Sequence, residues 1–349
     1  MRFLGPAALT AASLVLLLAA EGGLPEPEPA VTTAAAGSGG PAAATDGTAT
    51  TTTVAATDTV ELAAAQLTAQ LARPGRSAQI GRARLEPAPK PVVLTRKVLS
   101  DTGWAKRRES LPQELFTGEG FDACTAPSLD TLRAWRGTSP YGALGIYVSG
   151  AQRACDQPRL TADWVSKAQE MGWRLIPTHV GLQAPCSTIS RKTSRIDPAR
   201  AAQQGRDEAA AAVRAMKALG LRGGSPVYLD IESYPRESAC SQAVVEFTLG
   251  WTQALHKAGY RSGFYSSTDS GVADLAAAAR AGSSPLPDAV WYARWDGRAT
   301  TTDGAGALGA SDLWSDRGRI HQYQGNVQES YGGVTLNIDR NRLDAPVAR

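Results

Sequence analysis

Asp230 and Glu232 stand two residues apart in the stretch SPVYLDIESY, residues 225–234. The run that carries them is rich in Val, Leu and Ile and reads as a buried β-strand, and strand side chains alternate between faces. The two carboxylates therefore project to one side, with Tyr228 one step lower on that side. Carboxylates crowded out of water repel one another, which raises the pKa of at least one of them. A raised pKa is what a general acid needs near neutral pH. The expected division of labour is a protonated Glu232 that donates to a leaving group beside an ionised Asp230 that stabilises positive charge or positions an amide. Taken alone, such a pair reads better as a loop cap and the partner of an arginine. Its place late on a core strand turns the argument toward a site, because Asp122 in GFDAC and Asp339 in LNIDRN sit at comparable positions on other strands.

Aromatic and amide residues gather in the same part of each segment: Tyr234, Trp291, Tyr292, Arg294, Trp295, Gln322, Tyr323 and Gln324. Flat rings match the apolar faces of sugars, and amides bind hydroxyls and acetamides. Tyr234, Trp295, Gln322, Gln324 and Tyr228 are the expected substrate contacts. Alternation adds that if Trp291 faces inward, Tyr292 and Arg294 do not. The three histidines offer less. His179 ends a strand and His321 adjoins Gln322, and each reads more simply as a structural group; His256, near a helix end, reads as a surface residue. No HExxH and no GxSxG occurs, so a zinc hydrolase and a serine hydrolase are both disfavoured, and no metal or cofactor is expected.

The acids need a frame that brings distant strand ends together. From residue 116 onward short β-type runs alternate with helical patterns. The runs are GFDAC, ALGIYVSG, RLIPTHVG, PVYLDIES, RSGFYSS, AVWYARW, RIHQYQGN and VTLNIDRN. Helical spacing separates the early ones, in SLDTLRAWRG, TADWVSKAQEMG, PARAAQQGRDEAAAAVRAMKALGL, SQAVVEFTLGWTQALHKAG and GVADLAAAARAG. Alternation of this kind implies a parallel sheet with right-handed crossovers, and eight strands in a segment of this length predict a (β/α)8 TIM-type barrel. The last strands lack intervening helices, so the helical ring should be incomplete there. In a closed barrel the first and last strands are neighbours, which brings Asp122 and Asp339 to the mouth beside Asp230 and Glu232. The competing frame, an open doubly wound sheet, normally carries a Gly-rich phosphate turn after its first strand. None is present here.

Composition bounds the rest. Seven of the eight Trp and all nine Tyr lie beyond residue 115, so the packed core is C-terminal. Residues 1–23, MRFLGPAALTAASLVLLLAAEGG, have the layout of a secretory signal, with an uncleaved anchor as the alternative. Residues 24–60, dominated by Ala, Thr, Pro and Gly, bury too little apolar surface to offset their ordering entropy and read as a disordered linker; 61–115 read as a connector. A net charge of +3 with interspersed signs gives no basic stripe for nucleic acid. Cys124, Cys155, Cys186 and Cys240 form no CxxC pair and, in an exported chain, read as two disulfides. Cys124 and Cys155 follow strands one and two, and Cys186 and Cys240 follow strands three and four, so neighbouring loops should pair as 124–155 and 186–240.

The motifs GFDACTAPSLDTLRAW, GIYVSG, GWRLIPTHVGLQAPC, PVYLDIES, GFYSS and HQYQGN…YGGVTLNIDRNRLD recur in this order in a known family. Over residues 118–345 the chain resembles the actinobacterial glycoside-hydrolase-like domain, formerly a domain of unknown function, which is itself similar to the lysozymes of glycoside hydrolase family 25. The resemblance implies a barrel with an incomplete helical ring and a carboxylate set at Asp122, Asp230, Glu232 and Asp339. It assigns the general-acid role to Glu232 and gives Asp230 the substrate acetamide or a base role. The function so implied is action on a cell-wall glycan such as peptidoglycan; with the signal layout of residues 1–23 the protein is expected to be secreted or associated with the cell envelope, and a monomer is expected. The alternative is a non-catalytic carbohydrate-binding or envelope-organising domain.

Overall fold

The computed structural model describes residues 110–302 and 312–349, together with 103, 106, 107 and 308. The expected signal segment, the linker and most of the connector lie outside the described residues. Eight strands close into a single barrel in chain order: β1 (Glu114–Asp122), β2 (Tyr141–Ser149), β3 (Arg174–His179), β4 (Pro226–Asp230), β5 (Arg261–Ser267), β6 (Ala289–Ala293), β7 (Arg319–Tyr331) and β8 (Val334–Val347). Helices follow the first five strands: α1 (Leu129–Trp135), α2 (Ala162–Glu170), α3 (Ala201–Ala218), α4 (Ser238–Ala258) and α5 (Gly271–Arg280). Among the described residues no α-helix separates β6 from β7. β7 and β8 are joined by a two-residue turn with no helix, so among the described residues the helical ring is incomplete near the last strands, as the sequence predicts.

Each helix covers the sheet with one apolar stripe. Trp135 of α1 and Phe247 and Trp251 of α4 are fully buried against the outward faces of the strands, where Leu144, Leu229, Phe264 and Val290 lie. A second apolar group fills the barrel interior, with Ile176, Tyr228, Trp291, Ile320, Leu343 and Val347 among its members. The alternation is strict on β4: Tyr228 points in, while Leu229 and the following Ile231 pack outward. Ser128 and Thr161 cap α1 and α2, each accepting a backbone N–H three residues on, at 3.0 and 3.1 Å.

Two details depart from the sequence reading. β1 begins at Glu114, well before the GFDAC run that the sequence reads as the first strand, and ends at Asp122; Glu114 forms an ion pair with Arg174 of β3. β8 also runs antiparallel to both β7 and β1, whereas β1 to β7 are parallel throughout. The cause is the two-residue turn Gly332–Gly333, with φ of 58° and 79°. Both residues sit in the left-handed region, as a tight hairpin turn demands, and so short a turn permits only antiparallel pairing. The β7–β8 hairpin consequently extends past Asp122, the last residue of β1, and its tip packs against α1, where the Trp135 indole N–H donates to the Val334 carbonyl at 3.0 Å.

Both cysteine pairs are bonded as the strand order predicts, Cys124 to Cys155 and Cys186 to Cys240, and no cysteine is free. They close 31 and 54 residues of chain, which contributes roughly 4 kcal/mol each in the chain-entropy description. No helix among the described residues is long and apolar enough to cross a membrane.

Candidate functional site

β4 ends at Asp230, and the chain runs on to Glu232 with its direction fixed by one buried side chain. Gln183, on the loop after β3, accepts the Glu232 N–H through Oε1 at 2.9 Å. Its Nε2 donates to the Asp230 carbonyl at 3.0 Å. The same nitrogen reaches the Gly181 carbonyl at 3.2 Å. This clamp prolongs the alternation past the end of the strand, so Asp230 and Glu232 both line a cleft of about 900 Å³ at the C-terminal mouth of the barrel. Asp122 and Asp339 line it too, brought level by the β1–β8 register in which they are paired residues.

Asp122 sits in a dense set of donors. The Tyr147 hydroxyl donates to Oδ1 at 3.0 Å, and Oδ2 accepts from Asn341 at 2.7 Å and Gln322 at 3.1 Å. Asn341 is oriented by the Trp291 indole N–H at 2.7 Å, and Gln322 by Tyr265 at 3.0 Å and Trp295 at 3.1 Å. Three donors lower a carboxyl pKa, yet burial and the charge of Asp339 prevail and push Asp122 up to about 7. Asp339 accepts the Asn326 N–H at 2.7 Å and lies above the usual carboxylate range, because burial and Glu232 outweigh that bond.

Asp230 is the extreme case. Its Oδ1 is buried without a hydrogen-bond partner in the protein. Burial, then the charge of Glu232, pushes its pKa up to about 8 despite the opposing Lys192. Lys192, on the loop between β3 and α3, hydrogen-bonds the Glu232 carboxylate and lies 3.7 Å from Asp230. Burial disfavours its charge, but the two acids prevail and raise its pKa. Burial thus favours the protonated form of Asp230, while Glu232 faces the Lys192 ammonium.

Five expected substrate contacts separate into two groups. Gln322 and Trp295 line the cleft. Trp295 is 57% exposed, and its ring lies over Gly325, where an added Cβ would come within 2.1 Å of the indole. The other three do not line it. Tyr228 is fully buried one layer below and donates to the Pro346 carbonyl at 3.0 Å. Tyr234 is buried under α5 and donates to Asp274 at 2.8 Å. Gln324, on β7, accepts from Arg340 at 2.9 Å. Trp291 does face inward, with Tyr292 outward and stacked on His321 at 4.5 Å. Arg294 pairs with Asp296 and Tyr323 with Glu119.

The histidines are structural, and one expectation fails. His179 bridges Ser149 and Glu208 on the outer side of β3, and His321 bonds the carbonyls of Thr300 and Arg294. His256 is not at the surface: it is 4% exposed and bonded to Asp288 at 2.9 Å. A helix end that meets the barrel floor is buried whatever its own pattern suggests. The sequence reading also missed Tyr147, Tyr265, Asn341, Gln183 and Lys192. Alternation along β2 and β5 would have found the two tyrosines, since GIYVSG and GFYSS place them on the inward face. Lys192 lies in an irregular loop, where no periodicity marks it. Among the described residues no three His, Cys, Asp or Glu side chains are grouped to hold a metal ion.

A closed barrel with carboxylates from β1, β4 and β8 converging at its mouth has the form of a glycoside-hydrolase-like protein. The sequence model of the Rv2525c-like, glycoside hydrolase-like domain matches residues 133–343, and the chain belongs to that family. Among solved structures it is similar to an uncharacterized protein of B. stearothermophilus, at 17% identity over 65% of this chain and 99% of that one, with a TM-score of 0.44. It is also similar to the Mycobacterium tuberculosis Tat-secreted protein Rv2525c solved with L-tartrate, at 16% identity over 65% and 96%, TM-score 0.45. A third is the catalytic domain of the endolysin ply40 from bacteriophage P40 of Listeria monocytogenes, at 15% identity over 65% and 93%, TM-score 0.38. No curated protein matches the sequence.

Proposed function

We propose that this is an exported glycosidase that cleaves an N-acetylated cell-wall glycan of the peptidoglycan type, with Asp230 and Glu232 sharing the general-acid proton. The observation that carries the proposal is the Asp230 carboxyl: buried at the end of β4, one oxygen unpartnered, and raised to about 8. A carboxylic acid still protonated at neutral pH and lining an open cleft is poised to donate to a leaving oxygen. Glu232 lies two residues on, on the same face, and receives that proton once substrate draws Lys192 away. Asp122 and Asp339 set the field around the pair, and Trp295 offers an exposed ring for a sugar face. Family membership supports the glycan as substrate class, and two closed disulfides suit an oxidising compartment.

One observation favours the second reading, a non-catalytic glycan-binding domain: the Lys192 contact occupies Glu232. Release of soluble sugars from purified cell wall by the full chain separates the two. Asp230→Asn and Glu232→Gln should each reduce the rate about 10²- to 10⁴-fold while glycan binding survives. Wild-type protein that binds cell wall without releasing sugar establishes the binding domain. Wild-type activity equal to that of both variants removes the proton-sharing assignment.

A further inference from the structure

The cleft is charged unevenly across its width. The carboxylates form its floor. Toward β2 and β3 its wall carries Arg153, Arg191 and Lys192; toward β6 to β8 it carries the uncharged Trp295, Asn326 and Asn337. Lys192 is engaged by the acids. Arg153 and Arg191 are exposed and stand in no ion pair among the described residues.

The loops that present these two arginines are held from several sides. Arg153 donates through Nε to the Gly150 carbonyl at 3.1 Å and through Nη1 to the Tyr147 carbonyl at 3.2 Å, which fixes its stem at the end of β2. Arg195 gathers the loop that bears Arg191, with Nη2 donating to the carbonyls of Ser187 at 3.1 Å and Ile189 at 3.0 Å. Gln152 joins the loops, donating to the Ser194 hydroxyl at 2.8 Å. Cys155 and Cys186 tie each loop to a neighbour.

We propose that Arg153 and Arg191 form an anion subsite that seats the carboxylate or phosphate of an acidic sugar residue beside the carboxylate floor. The proposal rests on the glycan-cleft reading given above and names the substrate class more narrowly. A guanidinium presents a planar fork of N–H donors that matches the oxygens of either anion. An acidic floor would ordinarily repel such a substrate. Here Asp230 and Asp122 are raised to about 8 and about 7, and Lys192 faces Glu232, so near neutral pH the floor carries less negative charge than four ionised carboxylates would. The cationic wall then acts on the ligand against a weakened repulsion.

Calorimetric titration of the full chain tests this with four probes. They are the tetrasaccharide of alternating N-acetylglucosamine and N-acetylmuramic acid, its methyl ester, that ester carrying a 6-phosphate, and neutral chitotetraose. Wild-type protein should bind at least one acidic probe about fivefold or more tightly than the neutral ester, a preference that shrinks as salt rises. The double variant Arg153→Gln/Arg191→Gln, checked for an unchanged melting temperature, should lose the preference and bind chitotetraose as the wild type does. Arg191→Glu should reverse it. The acidic probe with the larger gain identifies carboxylate or phosphate as the source of the anion. Equal binding of acidic and neutral probes, a preference that survives in the double variant, or no binding of any probe overturns the subsite. Because the readout is binding, a protein that shows the preference but cleaves nothing keeps the subsite and defeats the hydrolase reading; cleavage without preference does the reverse.

Discussion

Asp122 at the mouth of the barrel and Asp288 at its floor are both buried and both well supplied with donors, yet their pKa values move in opposite directions. Asp122 accepts three side-chain hydrogen bonds and is raised to about 7. Asp288 accepts from His256 at 2.9 Å and from the Ser262 N–H at 2.8 Å and is lowered, burial being outweighed by these bonds and by the nearby charges of His256 and Arg261. What differs is the sign of the neighbours. Acids surround Asp122, while cationic groups surround Asp288. Hydrogen bonds alone do not decide the ionisation of a buried carboxyl, and this barrel keeps its favourable electrostatics at the floor and its unfavourable electrostatics at the mouth.

The largest effect expected from this contrast is at the floor. Asp288→Asn leaves His256 facing an uncharged amide inside the protein and should destabilise the fold by about 3–5 kcal/mol, read from the midpoint of urea unfolding. A lowered folded-state pKa contributes stability that is present above the unfolded value near 4 and is lost as pH falls through the folded one. The penalty of the variant should therefore shrink in acid. A penalty that persists unchanged there would show that packing rather than charge holds the site.

The mouth should give the opposite sign. Asp230 is raised to about 8, so between pH 4 and 8 the folded state keeps a proton that the unfolded chain has released. Its contribution to stability becomes more unfavourable as pH rises through that window. Asp230→Asn should consequently stabilise the fold by about 1–3 kcal/mol at pH 8, with no gain at pH 4, while slowing turnover about 10²- to 10⁴-fold. Thermal melts of both proteins across the window provide the measurement. Loss of stability at pH 8 would mean that Lys192 already compensates the charge in full.

Much of this contrast is visible in the sequence, and the part that is not has a physical reason. Alternation along PVYLDIES places Asp230 and Glu232 on one face, and the order of strands fixes both disulfides, because each depends only on local periodicity and nearest-neighbour topology. Tyr228 shares the inward face, but depth along a strand is set by its register with neighbours: it pairs with Gly263, one level below the Asp230–Tyr265 pair, and so lies under the cleft. Tyr234 and Gln324 fall beyond the regular ladder or on the outer face of the hairpin, where period two no longer indicates direction. The direction of β8 was encoded in Tyr-Gly-Gly-Val, a tight-turn signal overridden by the expectation of a uniformly parallel barrel. Lys192 depends on a long-range contact and carries no local signature.

A smaller effect is expected from that lysine. Lys192 opposes the upward shift of Asp230, so Lys192→Met should move the alkaline limb of the pH–rate profile upward by about one unit. The sign follows from removing a positive charge that favours the ionised acid. A downward shift would assign the limb to a different group.

The smallest effect tests the boundary between mouth and interior. Tyr228 and Tyr265 both face into the barrel from adjacent strands, yet only Tyr265 lines the cleft, where it donates to Gln322 and through it steadies Asp122. Tyr228 donates instead to the Pro346 carbonyl, and its ring packs edge-on against Trp291 at 5.9 Å. Tyr228→Phe retains the ring and loses one hydrogen bond, which should cost about 1 kcal/mol of stability and leave glycan affinity and the pH profile unchanged. Tyr265→Phe removes a bond of the same kind, but it leaves the Gln322 carbonyl oxygen to Trp295 alone, within the donor set of Asp122, and should shift the pH profile. If the two variants shift that profile equally, the layer containing Tyr228 belongs electrostatically to the site, and the division between a reactive mouth and an inert interior must be drawn one level deeper.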